Sequence, residues 1–445
     1  PEQLLARVPP LAVADACGEG RAAPEPETVH SDGRALVEDL FAVLVHVRQH
    51  PLRPDVSSDT APHTAPAAAP IGVAHVDIGP RLTGARDPER LEMIRRLLWR
   101  LKLVHVGRDA LRPTPRARAW LQLDDLRRLQ AVVLAWRDDP HVDELALIPT
   151  IRVEGGGPPH NPAPARRALL EFMARCDASW HALDTFVAEL KRDRPDYLRP
   201  DGDYDGWHLR DAESGAYLTG FEAWDRIEGA LARYLLSRPL RWLGIVEVGE
   251  DADGRVVAFR LTPDGVAIVS GRPAPVEGAP GVDPGPRAAI DDEMVVTIPV
   301  AGTMYERYQL ERFSAWLGQD GDVARYAITE DSVWQGHNTG VKTEQIDHFL
   351  RRLAGDTLPP VLARNLLAWG GRFGRASLRR VVLLQTVDEA TMQQIRGRPE
   401  LRRLLGDLMG PTTCAVEERH VDAVLVRLKA LGIWPRLIGE GPDGA

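Results

Sequence analysis

An arginine-rich segment near residue 370 has the composition in this sequence that best fits binding chemistry. It contains two aromatic residues, three glycines and no aspartate or glutamate. Its arginines are Arg364, Arg372, Arg375, Arg379 and Arg380. Guanidinium groups bind phosphates, aromatic rings stack on bases, and glycines let the backbone approach a ligand closely. The segment is therefore predicted to bind a nucleic-acid backbone, although an ordinary solvated surface has the same composition.

A helix predicted between residues 88 and 101 carries three further candidates, Arg95, Arg96 and Arg100. Such a helix can enter a major groove and place arginines against bases or phosphates. The neighbouring Glu92 fits an ordinary charged face equally well, so both interpretations stay open. A second arginine group near the C-terminus is another candidate, comprising Arg396, Arg398, Arg402 and Arg403.

Catalytic and metal chemistry has little support in the sequence. The three cysteines lie far apart, the histidines occur singly, and the phosphate-binding pattern GxxxxGK[ST] does not occur. The loop DGDYDG begins like a calcium loop, but Ala212 stands where the closing glutamate should be. We expect no metal, no cofactor and no catalytic residue. An active site assembled from dispersed residues is the alternative.

The net charge of −9 gives the whole chain no attraction for phosphate, so any nucleic-acid contact must be local. Between Val295 and Leu437 there are 19 lysines and arginines against 16 aspartates and glutamates, which makes this part the basic one. No apolar run is long enough to cross a bilayer, and no signal pattern opens the sequence. We expect a cytoplasmic protein without membrane contact.

Three stretches rich in proline, glycine and alanine divide the chain into predicted units. The predicted organisation is an N-terminal segment 1–34, a first domain 35–153 with an insertion at 54–71, a second domain 165–270, a linker 271–292 and a third domain 293–438. The first two domains share a pattern, in which Thr114-Pro115 corresponds to Thr262-Pro263. The pattern predicts a helix, a two-stranded hairpin and a threonine-capped helix, which is typical of a winged helix.

From Met294 the pattern changes to mixed α/β. VVTIPV predicts a strand, and Thr329 is a predicted helix N-cap followed by two acidic residues. The residues Ile346, Leu350 and Leu353 form an apolar stripe at helical spacing. The stretch from Tyr326 to Leu378 resembles the XPB N-terminal-like domain, which precedes the motor of XPB-type helicases and occurs in bacterial helicase-associated proteins. The matching motif positions are Tyr326, Thr329, Ser332, Gly340, Pro359, Trp369 and Gly374.

The predicted fold class is therefore mixed α/β multidomain, with two winged-helix-like units followed by an α/β XPB N-terminal-like domain. The resemblance implies an accessory protein without a helicase motor. It would bind DNA, a helicase or other ATPase partner, or both, in DNA repair, transcription or genome defence. The alternative is a winged-helix transcription regulator or anti-phage defence component that acts without a helicase.

Overall fold

The computed structural model describes residues 26–50, 81–84, 86–107, 110–154, 161–271, 288–378 and 381–438. The chain forms two compact units, Pro1–Gly370 and Gly371–Ala445. The predicted mixed α/β multidomain class is confirmed. In the described ranges, no helix is both long enough and apolar enough to cross a bilayer. The domain boundaries predicted from the sequence are not tested by this division and stay predictions.

The N-terminal part of the first unit is a group of helices with one short hairpin. The helices are α1 (Ala35–Gln49), α2 (Pro88–Arg100), α3 (Pro115–Leu121) and α4 (Asp125–Arg137). The hairpin pairs β2 (Val104–Val106) with β3 (Leu111–Pro113). All residues of α1 from Asp39 to Val45 are buried. A helix that is apolar on nearly every side belongs inside a core, and α1 is the central helix of this part.

The next part of the first unit combines helices with a four-stranded sheet. Its helices are α5 (Ala163–Met173), α6 (Leu183–Asp193), α7 (Trp224–Leu235) and α8 (Pro263–Ser270). The sheet has the order β1-β7-β8-β5, with β1 (Thr28–His30), β5 (His181–Ala182), β7 (Val246–Glu250) and β8 (Val256–Leu261). A separate pair joins β4 (Ile151–Val153) to β6 (Leu209–Asp211). Since one apolar core runs through both parts, they pack as one body.

The repeated sequence pattern is visible in the backbone. Lys102 after α2 and Gly244 after α7 both have positive φ, 55° and 68° respectively. The Oγ1 of Thr114 donates to the carbonyl of Lys102 at 2.7 Å, and the Oγ1 of Thr262 donates to that of Gly244 at 2.6 Å. Each threonine also caps the following helix. The predicted order of helix, hairpin and threonine-capped helix thus occurs twice, while its interpretation as two winged helices stays a prediction.

The last part of the first unit is a four-stranded antiparallel sheet covered by helices. The strands are β9 (Ala289–Ile290), β10 (Val295–Pro299), β11 (Ala315–Asp320) and β12 (Val323–Ala327), in the order β11-β12-β10-β9. The helices are α9 (Met304–Leu310), α10 (Glu330–Asn338), α11 (Thr343–Ala354) and α12 (Pro360–Arg372), and the last two residues of α12 fall in the second unit. The predicted strand VVTIPV is confirmed as β10. The predicted stripe on α11 is buried against the sheet, with Ile346 and Leu350 fully enclosed.

Charged side chains attach this last part to the N-terminal helices. Helix α9 packs on α1 and α3. The guanidinium of Arg307 donates two hydrogen bonds to Glu38 at 2.7 and 2.9 Å, and Arg81 donates two to Glu311 at 2.6 and 2.9 Å. Bidentate arginine–carboxylate pairs are geometrically specific, so they fix α9 in one position.

The second unit has a three-stranded antiparallel sheet of order β13-β15-β14. Its strands are β13 (Val381–Gln385), β14 (Leu405–Gly410) and β15 (Thr413–Glu417), and its helices are α13 (Glu389–Arg396), α14 (Pro399–Arg402) and α15 (Val421–Ala430). The core of this unit is small. It contains Ile395, Leu401, Val416, Val424 and Leu428.

A buried aspartate on α1 predicts a pH dependence of stability. Burial raises the pKa of Asp39 to about 6 from its ordinary 3.8, although Arg90 and the N–H of Thr83 oppose the rise. The folded chain therefore binds this proton more tightly than the unfolded chain. The resulting stability is complete below about pH 4 and is lost as the pH rises through about 6.

Between about pH 4 and pH 7, we expect the free energy of unfolding to fall by about 2 kcal/mol more in the wild type than in Asp39→Asn. Urea denaturation at a series of pH values measures the difference. Two curves that stay parallel from about pH 4 to pH 7 would contradict the prediction.

Candidate nucleic-acid interface

Helix α12 carries the first arginines of the predicted binding segment, and it begins at Pro360. Leu362 and Leu366 are buried in the core, and Trp369 packs against it. Because these residues recur at helical spacing, they turn one side of α12 to the core. Arg364 and Arg372 are both exposed.

The residues after α12 continue this exposed segment. Phe373 has 41% of its surface exposed, and Arg375 is exposed while its Nε donates to the carbonyl of Gly371 at 3.2 Å. Gly374 has a φ of 82°, which favours glycine. Arg364 belongs to the first compact unit, and Arg372 and Arg375 to the second. Arg379 and Arg380 lie outside the described residues.

The arginines predicted on α2 are engaged within the protein. The Nε of Arg95 and that of Arg96 donate to the carboxylate of Glu92, at 2.6 and 2.8 Å. Burial opposes the charge of Glu92, but these two partners outweigh it and lower the pKa of Glu92. Arg100 donates to the carbonyl of Asp138 at 3.1 Å. Groove binding by α2 stays a prediction, and it would have to compete with these contacts.

The residues at the motif positions of the XPB N-terminal-like resemblance stabilise the fold around α10. The predicted N-cap is confirmed: Thr329 Oγ1 accepts the N–H of Ser332 at 3.1 Å, and Ser332 Oγ accepts the N–H of Thr329 at 2.9 Å. Tyr326 is fully buried on β12, and Gly340 has a φ of 87°. The carbonyl of Pro359 accepts one backbone N–H from the first turn of α12. These positions hold α10 and α12 in place and thereby position Arg364 on the surface of the first unit.

The predicted calcium-like loop is closed by its own backbone. The carboxylate of Asp203 accepts the N–H groups of Asp205 and Gly206 at 3.0 and 2.8 Å. Across the part of the chain that the structure describes, no three side chains of His, Cys, Asp or Glu come together as a metal site.

His337, one of the singly occurring histidines, is buried and its Nδ1 lies 2.7 Å from the carbonyl of Val341.

Large exposed apolar side chains of the second unit were not singled out from the sequence. They include Leu383, Val387, Leu408, Met409, Trp434 and Ile438. Their exposed fractions range from 51% at Leu408 to 93% at Val387. The run VVLLQ of β13 was the available signal, because consecutive apolar residues on a strand place some of them on each face. Concentrated exposed apolar residues are typical of interaction surfaces.

Comparison with known protein families gives a match in the C-terminal region. Residues 289–409 match the family described as helicase conserved C-terminal domain. The match begins at β9, contains Arg364, Arg372 and Arg375, and ends in β14. This region is therefore helicase-related. No curated protein matches the chain.

Proposed function

We propose that this chain is a non-catalytic accessory protein of a helicase system that binds DNA through Arg364, Arg372 and Arg375. The observation that carries the proposal is the position of these exposed arginines inside the helicase-related region, in a segment without carboxylates. The resemblance to the XPB N-terminal-like domain supports an XPB-type helicase as the related system.

In this proposal the three arginines contact phosphates rather than bases. Each guanidinium that reaches a phosphate releases a condensed counterion, so binding weakens as the salt concentration rises. Phe373 adds an exposed ring on which an unpaired base can stack. Because the contacts fall on the backbone, binding has little dependence on base sequence.

The second unit is the proposed contact for a helicase or other ATPase partner. The exposed apolar side chains named above lie on strands β13 and β14, in the connection after β13, and in the residues after α15. A unit with so small a core gains stability when a partner covers such residues. The chain would then hold a motor protein and DNA together.

The alternative is a winged-helix regulator or defence component that acts without a helicase. It requires sequence-specific contacts from α2. The contacts of Arg95, Arg96 and Arg100 within the protein weigh against such base contacts, because these would compete with the existing hydrogen bonds. A strong preference for one duplex sequence would support the alternative.

The DNA-binding proposal is tested by replacing Arg364, Arg372 and Arg375 together with alanine. We expect the affinity for a short labelled duplex to fall by about thirtyfold at moderate salt, because three charged contacts to phosphates are removed. Fluorescence anisotropy with duplex and single-stranded DNA measures the affinities.

A matched variant replaces Arg325, Arg419 and Arg427 with alanine, since these residues are also exposed, belong to neither candidate arginine group, and give an identical charge change. We expect it to bind within about threefold of the wild type. An equal loss in both variants would assign the effect to net charge and refute the proposed segment.

A further inference from the structure

A cavity of about 240 Å³ that is partly open to solvent lies in the first unit, between α2, α4 and the end of α7. Its apolar lining comes from Met93, Leu97, Trp136, Val142, Leu147 and Trp242. An apolar cavity of about 150 Å³ is large enough to bind benzene. The space here is therefore sufficient for a ligand with two fused rings.

One wall of the cavity has an unusual backbone. Helix α7 continues into a π-helical turn, Leu236–Leu240, and Pro239 of this turn lines the cavity. Proline cannot donate the backbone hydrogen bond of a regular helix, which explains why the turn widens here. Single π-helical turns occur frequently at functional sites.

Four carboxylates line the cavity, and three of them are bound closely by arginines. Glu89 accepts from Arg238 at 2.8 Å. Glu144 accepts from Arg166 at 2.7 Å, and the carboxylate of Glu92 is held by two arginines of its own helix.

Asp139 differs from these three. Only 3% of its surface is exposed, and its Oδ1 accepts the N–H of His141 at 3.1 Å. Among the described residues its ion-pair partner is Arg100, whose Nε lies 3.9 Å away. Because this cation is so distant, the buried carboxylate of Asp139 can still form a shorter ion pair with a positively charged ligand.

We propose that this cavity binds a small aromatic amine, with the rings among the apolar side chains and the ammonium group on Asp139. The part of the cavity that would hold the rings is apolar. The one polar atom of the Trp136 ring, Nε1, does not change this, because it already donates to Glu144 at 3.2 Å. The cation preference comes from Asp139. A ligand bound here contacts both repeated helix–hairpin segments and so stabilises their packing.

Calorimetric titration of the full chain with tryptamine, indole and indole-3-acetate tests the site. We expect tryptamine to bind with a Kd below about 1 mM, indole about tenfold more weakly, and indole-3-acetate not at all. Failure of tryptamine and indole to bind would overturn the proposal. Equal affinities for all three would refute the role of Asp139.

Three variants locate the binding. Asp139→Asn should weaken tryptamine about tenfold and leave indole unchanged, because the amide keeps the acceptor for His141 but loses the charge. Asp138→Asn is the matched control, since Asp138 is paired on the surface with Arg137 and Arg167 and does not line the cavity. Met93→Trp should fill the cavity and abolish binding of both ligands, since Met93 is a buried residue of its lining. Unchanged binding in Met93→Trp, or equal losses in the two asparagine variants, would place the ligand elsewhere.

Discussion

Replacing Arg166 with alanine is expected to lower the free energy of unfolding by about 3–5 kcal/mol. Its guanidinium is almost wholly buried and donates to both carboxylate oxygens of Glu144, at 2.9 and 2.7 Å. It also donates to the carbonyls of Trp136, Asp139 and Val142 at 2.6–2.7 Å. Burial raises the pKa of Glu144, and the Arg166 charge opposes that rise. The variant removes the arginine donor from three carbonyls and from the buried Glu144 carboxylate, which keeps the Nε1–H of Trp136.

Arg167→Ala is the natural control for this experiment. Arg167 is the next residue on α5, half of its side chain is exposed, and it pairs with Asp138 on the surface. Exposed pairs contribute at most about 1 kcal/mol. Denaturant unfolding of both variants measures the contrast. A loss below about 1 kcal/mol in Arg166→Ala would show that the buried pair does not hold this core together.

Replacing Arg307 with alanine is expected to destabilise the chain by about 3 kcal/mol. Arg307 is buried under the ring of Phe41 and binds Glu38 with two hydrogen bonds. Burial disfavours its charge, but Glu38 outweighs this and raises the pKa of Arg307. Because α9 lies between the helicase-related sheet and α1, the loss should loosen the attachment of that sheet.

Hydrogen exchange of the α9 amides and denaturant unfolding measure how much Arg307→Ala destabilises the chain and loosens the attachment of the sheet. We expect faster exchange in α9 and a coupling of about 2 kcal/mol between Arg307→Ala and Glu38→Gln in a double-mutant cycle. The exposed Arg325 on β12 provides the control, and its alanine variant should stay within about 0.5 kcal/mol of the wild type. Additive single effects would contradict the proposed pairing.

The local features of this fold were predictable from the sequence because short-range physics determines them. The cap at Thr329 needs only a side chain and an N–H three residues later. The apolar spacing of Ile346, Leu350 and Leu353 predicts which side of α11 is buried.

The long-range contacts were not predictable in the same way. Arg307 and Glu38 are 269 residues apart, and Arg90 reaches Asp39 across 51 residues. Each side chain alone looks like a surface charge. For the same reason, the internal contacts of the α2 arginines were not predicted. Arg100 contacts Asp138, which lies 38 positions away, and no local sequence pattern indicates that the two residues meet.

The salt dependence of DNA binding tests the central claim most directly. The logarithm of the association constant should fall linearly with the logarithm of salt concentration for the wild type. The slope should be shallower by about 3 in the variant that lacks Arg364, Arg372 and Arg375, since about one counterion is released for each phosphate contact. A wild type that binds no DNA at low salt, or identical slopes for the two proteins, would contradict the account.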